Sequence, residues 1–238
     1  QLNKGADAAC GDDVASLKQV VVQWLMSAEL KPEPPLEQDE KDGRGFDHDL
    51  TGHFLCPVDY NWNDPLHHAA IRDYHPKFLV TAYSWPTFLY ENGRYNPNCP
   101  SNGLFNSMLL VRAFNHIFTS PTSALKMNVG NDETRLPLKK RQKYDEWQTC
   151  CHVASLVGMK SVCPRAIAYI AVQLRFALSS CGSWWIIDGE FNYNDFYNNI
   201  LDFFENAETT GEKKVIQDLL LWWNQSVALT YCNPTNLA

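Results

Sequence analysis

The chain has 238 residues, of which 45% are hydrophobic and 13% aromatic, and its formal net charge is −7. This aromatic content excludes a disordered chain, whose signature is high net charge with few aromatics. The negative charge disfavours nucleic acid as a partner, because phosphates repel an acidic surface. No apolar stretch approaches the ~20 residues that span a bilayer. We therefore predict one soluble domain over residues 1–238, without membrane association.

The eight cysteines follow no regular spacing, although a chain of this length can build a full hydrophobic core. Small secreted domains need disulfides when their cores are too small. The first 13 residues are polar and mixed, unlike the apolar stretch of a secretory signal. We therefore expect reduced thiols and an intracellular location, in the cytoplasm or the nucleus.

The first predicted helix covers residues 12–30, where Val14, Leu17 and Val21 recur at helical spacing. Three prolines among residues 32–35 end this pattern, because proline removes a backbone donor and clashes with the preceding turn. The first element is thus an amphipathic helix followed by extended chain.

An irregular segment is predicted over residues 31–65, wrapping the helical bundle. Within it, the charged run 37–44 is expected to be a solvated loop. Residues 45–57 mix short apolar residues with turn formers, which indicates turns with at most one short strand. The pair Asp64-Pro65 can cap and begin a helix through residue 74.

The second half of the chain is rich in helical patterns, and the polar stretch 126–147 is predicted to be a mobile loop. Residues 167–180 are apolar on nearly every side, which is typical of a central helix. The other predicted helices cover 85–90, 103–118, 191–205 and 212–228. Together these patterns predict an all-α fold, an irregular bundle of about six or seven helices.

A group of histidines and acids lies in the irregular segment. His48, Asp49 and His53 are candidate binding residues, and His48, His53 and Cys56 are candidate metal ligands. Their spacing matches no standard zinc motif. The alternative is that His48 and its acidic neighbours make turn and cap hydrogen bonds to the backbone.

Arg175 lies on the predicted central helix, where an unpaired charge would cost several kcal/mol. We expect it to meet a buried carboxylate, either as an ion pair that fixes the helix or as part of an anion pocket for a carboxylate or phosphate ligand. The candidate carboxylates are Asp47, Asp49, Asp64, Asp188 and Glu190.

Two tryptophan doublets, 184–185 and 222–223, occupy consecutive positions. On a helix, neighbouring side chains point about 100° apart, so one ring can fill the core while the other lies at a rim. Trp223 is therefore a candidate binding residue, the alternative being that both rings of a doublet are internal.

Seven motifs occur along the chain in a fixed order. They are Arg44-Gly45-Phe46, Thr51-Gly52, Leu55-Cys56-Pro57, Ile117-Phe118-Thr119-Ser120-Pro121, Ala168-Tyr169-Ile170-Ala171, Arg175-Phe176-Ala177-Leu178-Ser179-Ser180 and Trp222-Trp223-Asn224. Together they resemble an uncharacterised domain family of unknown function that is widespread in mushroom-forming basidiomycete fungi. The resemblance covers residues 12–224. It implies a fungal origin and the extent of the domain, but no activity.

The function predicted from these features is an intracellular protein-interaction or recognition module, whose partner is a protein or a small anionic ligand. The alternative is an enzyme, with a metal site around His48 and His53 or an anion pocket around Arg175. The common catalytic signatures are missing from the sequence. The sequence therefore identifies no catalytic residue and no cofactor.

Overall fold

The computed structural model describes residues 2–27, 32–119 and 153–227, with side chains from residue 11 onward except at 155 and 156. Seven α-helices of at least seven residues lie in these ranges, which confirms the predicted helical bundle. The α-helices are α1 (Leu2–Met26), α2 (Asp49–Leu55), α3 (Pro65–Arg72), α4 (Met108–Phe114), the short α5 (Val153–Leu156), α6 (Pro164–Leu178), α7 (Tyr193–Glu205) and α8 (Thr210–Ser226). In the same ranges, no helix is both long and apolar enough to cross a membrane.

Shorter elements connect these helices. Three 3-10 turns cover Gly45–Asp47, Thr87–Leu89 and Glu91–Gly93, and a π-helical turn over Asn115–Thr119 continues α4. An antiparallel hairpin of two very short strands, β1 (Ile187–Asp188) and β2 (Phe191–Asn192), lies between α6 and α7. The predicted loop 126–147 lies outside the described residues.

Helix α6 is the centre of the core, as its apolar composition predicts. Twelve of its fifteen residues are buried, and it packs against α1, α4 and α7. It begins at Pro164, because proline has no N–H to lose at the first helical position and its φ is already helical. The helix therefore has little solvated surface beyond Arg165 near its start, and its buried C-terminal end must find partners inside the fold.

The prediction of turns over residues 45–57 is wrong, because α2 occupies most of that range. His48 caps the helix: its ring Nδ1 accepts a hydrogen bond from the backbone N–H of Leu50 at 3.0 Å. Gly52 permits the indole of Trp62 to lie directly against the helix, since a Cβ at this position would be only 2.2 Å from that ring. Neither His48 nor Trp62 belongs to α2, so a search for apolar residues at helical spacing does not find the contacts that stabilise it.

Residues 37–44 form a loop that is exposed at six of its eight positions, as predicted, but the prediction fails at Lys41 and Arg44, which are only 2% and 1% exposed. Arg44 Nη1 donates to the carbonyls of Lys18 in α1 and Ala177 in α6, both at 2.9 Å. Its Nη2 donates to the carbonyls of Glu37 and Gln38, at 2.8 and 3.0 Å. One guanidinium thus joins two helices and the connecting segment.

Lys41 makes the neighbouring contact at the end of α6. Its Nζ donates to the carbonyls of Phe176 and Cys181, at 2.6 and 2.5 Å, and to Ser179 Oγ at 3.4 Å. The last carbonyls of a helix receive no hydrogen bond from an N–H group of the same helix, and they carry partial negative charge. Buried cations therefore complete the C-terminal end of α6.

Three other helix boundaries differ from the predictions because of capping side chains. Helix α4 begins at Met108, since the Ser107 side chain accepts from Leu109 N. Helix α7 begins at Tyr193, since Asn192 caps it. Helix α8 begins at Thr210, because Thr209 and Glu212 cap each other's backbone N–H, so Gly211 is inside the first turn rather than between helices.

We expect Arg44→Met to lower the free energy of unfolding by at least ~3 kcal/mol, because it removes four hydrogen bonds to one buried and three part-buried carbonyls. Arg94→Met, at an exposed arginine, serves as the control and should change stability by less than ~0.5 kcal/mol. Urea unfolding measures both. Equal effects of the two changes would contradict the bridging role of Arg44.

A second prediction concerns pH. Burial, and then the charge of Arg44, lowers the pKa of Lys41 from its ordinary 10.5 to about 7. Above about pH 7 the folded protein therefore releases a proton that the unfolded chain retains, up to about pH 10. The free energy of unfolding should rise with pH in this window, by at most ~1.4 kcal/mol per unit, and stay flat below it.

The test compares urea unfolding of the wild type with that of Lys41→Met, in which this contribution is removed. The free energy of unfolding of the wild type minus that of Lys41→Met should increase between about pH 7 and about pH 9. Lys77→Met, at an exposed lysine, controls for other titrating groups. A difference that does not vary with pH would mean that the carbonyls keep Lys41 charged.

Candidate functional site

Four consecutive large apolar residues, 184–187, lie at the surface immediately before the turn of the hairpin. Trp184, Trp185, Ile186 and Ile187 are 39%, 64%, 54% and 60% exposed. Single exposed apolar residues are ordinary, but a consecutive run is unfavourable in a folded domain unless something binds it. We call residues 184–187 the apolar ribbon and treat it as the candidate functional surface.

The hairpin gives the apolar ribbon a defined conformation. Tyr193 N donates to the carbonyl of Ile186 at 2.9 Å, and Ile187 and Asp188 pair with Asn192 and Phe191. Gly189 supplies the positive φ of 60° that the tight turn requires. The ring of Trp184 packs on Phe176 and Tyr193, with centroids 5.1 and 4.9 Å apart. The other three side chains point outward from this support.

Arg175 connects the hairpin to the central helix. Its Nη1 donates to Tyr193 Oη at 2.9 Å and lies 4.0 Å from Asp188 Oδ2. Its guanidinium carbon is 3.2 Å from the centroid of the Phe191 ring. Burial raises the pKa of Tyr193, against the opposing effect of Arg175, so this phenol stays a neutral partner. Of the five candidate carboxylates, Asp188 is the one that the fold brings into ion-pair range of Arg175.

A small cavity lies beside Arg175, between the hairpin and the chain around α3. Its volume is about 60 Å³. The charged residues and serines among its lining are Arg175, Ser179, Ser180, Asp188 and Glu190. The rest of the lining consists of Gly45, Phe46, Leu55, Ile71, Tyr74, Phe78, Leu79, Val80 and Phe191. The predicted pocket around Arg175 therefore has a physical counterpart, and ligand binding there stays a prediction.

His48 is a structural residue in this fold. Its Nδ1 accepts from Leu50 N, and its Nε2 donates to the carbonyl of Pro34 at 2.7 Å. A carbonyl can only accept, so Nε2 carries a proton. Nδ1 carries none, because it accepts from the N–H of Leu50. Both nitrogens are thus engaged with the backbone, as the alternative interpretation of the sequence expects, and neither is free for a metal.

Asp49 and His53 lie with His48 along one open surface groove. Asp49 is exposed and lies 3.6 Å from His68 Nε2 and 3.7 Å from Arg72 Nη2. His53 is half-buried, and burial lowers its pKa, so it is neutral at pH 7. The groove is lined by Pro32, Glu33, His48, Asp49, Leu50, His53, Trp62, Asn63, Pro65 and His68. A binding role for these residues stays a prediction.

Cys56 does not line that groove and is buried in a small cluster with Trp62 and Ile71. Burial raises the pKa of its thiol to about 12, whereas a metal ligand must be a thiolate. Among the residues with described side chains, no three or more His, Cys, Asp or Glu groups converge on a possible metal position. The fold thus does not bring His48, His53 and Cys56 together as ligands.

Trp223 is not a surface residue, and its assignment as a candidate binding residue is wrong. It is fully buried, its Nε1 donates to the carbonyl of Phe105 at 3.1 Å, and its ring contacts Phe114. The indole N–H finds its partner inside the core, so the ring needs no rim position.

The apolar ribbon is the feature that sequence reasoning missed. Trp184 and Trp185 were noted as a doublet, but Ile186 and Ile187 extend the run to four residues between two turn formers, Gly182 and Gly189. That length, in a segment too short for a core strand, was the available signal.

The four cysteines with described side chains, Cys56, Cys99, Cys163 and Cys181, carry free thiols.

We expect Arg175→Met to destabilise the fold by about 3 kcal/mol or more. The change removes the hydrogen bond that Arg175 donates to the buried Tyr193 and leaves Asp188 without its counter-ion. Arg165→Met, at an exposed arginine of the same helix, should cost less than ~0.5 kcal/mol. Denaturant unfolding compares them. A similarly small change at Arg175 would mean that the hairpin is held without it.

Comparison with known proteins gives one result. Neither a curated protein nor a solved structure matches the chain. A family model described as "Family of unknown function (DUF6698)" matches residues 4–228. This confirms the resemblance to an uncharacterised domain family, while the fungal origin stays a prediction. Because the match covers nearly the whole chain, the protein belongs to this family of unknown function.

Proposed function

We propose that this domain is an intracellular protein-interaction module that docks a partner on the apolar ribbon. The single observation that carries the proposal is the exposure of Trp185, Ile186 and Ile187, each more than half accessible on consecutive positions. Fully burying a large apolar side chain is worth about 1.5–3 kcal/mol. Tryptophan is also over-represented among the residues that dominate binding energy at interfaces.

The ribbon also meets the requirement of a pre-formed surface. Arg175 fixes Asp188, Phe191 and Tyr193 relative to α6, so the hairpin conformation is set before a partner arrives. Association then avoids much of the cost of ordering a loop. This favours docking of a partner over a role for the ribbon in the domain's own core.

Charge indicates the chemistry of the partner. Asp188 and Glu190 follow the ribbon directly in the hairpin turn, and the whole chain carries a net charge of −7. A partner with apolar side chains flanked by lysine or arginine complements this surface and is steered toward it. Nucleic acid is disfavoured here because its phosphates would face the same carboxylates.

The test is selection from a random peptide library displayed on phage, using the 238-residue chain as bait. We expect enrichment of peptides that combine apolar and basic residues. Trp185→Ser with Ile187→Ser should weaken the selected peptides at least tenfold, about 1.4 kcal/mol. Tyr83→Ser, at another exposed aromatic, is the matched control and should change binding less than twofold.

Three outcomes would contradict the proposal: no enrichment, equal binding by the ribbon variant, or selection of acidic peptides. Sedimentation of the free protein adds a check, since self-association lost in the ribbon variant would identify a second copy of the chain as the partner instead. The ribbon residues face solvent, so both variants should melt like the wild type.

A further inference from the structure

The geometry points to a second site, separate from the ribbon: the cavity beside Arg175 binds a small zwitterion of the glycine or alanine type. Such a ligand presents a carboxylate and an ammonium group a few bonds apart. The cavity wall holds the complement of both charges, since Arg175, Asp188 and Glu190 are all among the residues that line it. This inference does not rest on the docking function.

Arg175 supplies the recognition of the carboxylate. It is 4% exposed, and its one hydrogen bond among the described residues is the one from Nη1 to Tyr193. Its buried Nε has no acceptor in that part of the chain. The Phe191 ring covers one face of the guanidinium, which fixes its plane and leaves donors at its edge. A planar fork of this kind matches a carboxylate.

Asp188 and Glu190 supply the recognition of the ammonium group. The 4.0 Å separation of Asp188 from Arg175 is longer than a hydrogen bond. Glu190 takes part in none of the ion pairs found among the described residues. Among the residues that line the cavity, two carboxylates stand beside one guanidinium, and Lys41 lies behind this wall, where it bonds Ser179 Oγ. A simple anion would meet Asp188 and Glu190 as well as Arg175, whereas a zwitterion pairs with the carboxylates at one end and with Arg175 at the other.

The volume limits the ligand to the smallest members of this class. A water molecule needs about 10–15 Å³ of such space, so 60 Å³ holds about four to six atoms of that size. Glycine and alanine have this size. Ile71, Tyr74 and Phe78 are among the lining residues, and a volume of about 60 Å³ leaves no room for a long side chain.

The experiment is isothermal titration of the 238-residue chain with glycine, acetate and methylammonium at neutral pH and equal ionic strength. Acetate carries only the negative end of the ligand and methylammonium only the positive end. We expect glycine to bind at least tenfold more tightly than either. Leucine, which keeps both charges and adds bulk, should bind at least tenfold more weakly than glycine.

Two variants locate the binding. Glu190→Gln removes an exposed charge without disturbing the core, and Arg175→Lys keeps the charge but loses the planar fork. Each should weaken glycine binding about tenfold, whereas Glu208→Gln, at an exposed carboxylate elsewhere, should leave it unchanged. Glu190→Gln keeps the test decisive even if Arg175→Lys folds poorly.

The inference fails if glycine shows no binding with a Kd below about 10 mM. It also fails if acetate binds as tightly as glycine, which would identify a plain anion site, or if methylammonium does, which would identify a cation site. Glycine binding that Glu190→Gln leaves intact would place the ligand elsewhere on the protein.

Discussion

Arg44 joins the carbonyls of Lys18 in α1 and Ala177 in α6 with those of Glu37 and Gln38, and the arrangement of the bundle around α6 depends on this contact. All its acceptors are backbone groups, so the contact specifies where three segments lie relative to one another. Lys41 caps the adjacent carbonyls. A buried helix end would otherwise leave several acceptors unsatisfied, at about 1–3 kcal/mol each.

The same helix end positions both candidate sites. Arg175 is in the last turn of α6, and Ser179 and Ser180 follow it directly, so the residues that line the cavity begin where Lys41 and Arg44 hold the backbone. From there the chain enters the apolar ribbon. Lys41 and Arg44 would therefore act on the proposed binding from a distance, because they fix the backbone from which the hairpin extends.

The sequence predicts α6 well because its signal is local: apolar residues at every helical position leave no other environment for it. It predicts the start of α3 for the same reason, from Asp64 and Pro65. It misses Lys41 and Arg44, whose main acceptors in α6 lie more than 130 residues away in the chain. At the site, it identifies Arg175 and Asp188, because a charge on an apolar helix requires a partner. It misplaces Trp223, whose polar atom is satisfied by a distant backbone carbonyl.

The hairpin has only two paired positions in each strand, so its own backbone contributes little to its stability. Its shape comes from Arg175, which packs against the rings of Phe191 and Tyr193. Trp185, Ile186 and Ile187 are exposed to solvent instead. Folding and the proposed recognition thus fall to different residues of one short segment. Members of the family could therefore exchange the three outward side chains and acquire new partners without first having to restore a damaged core.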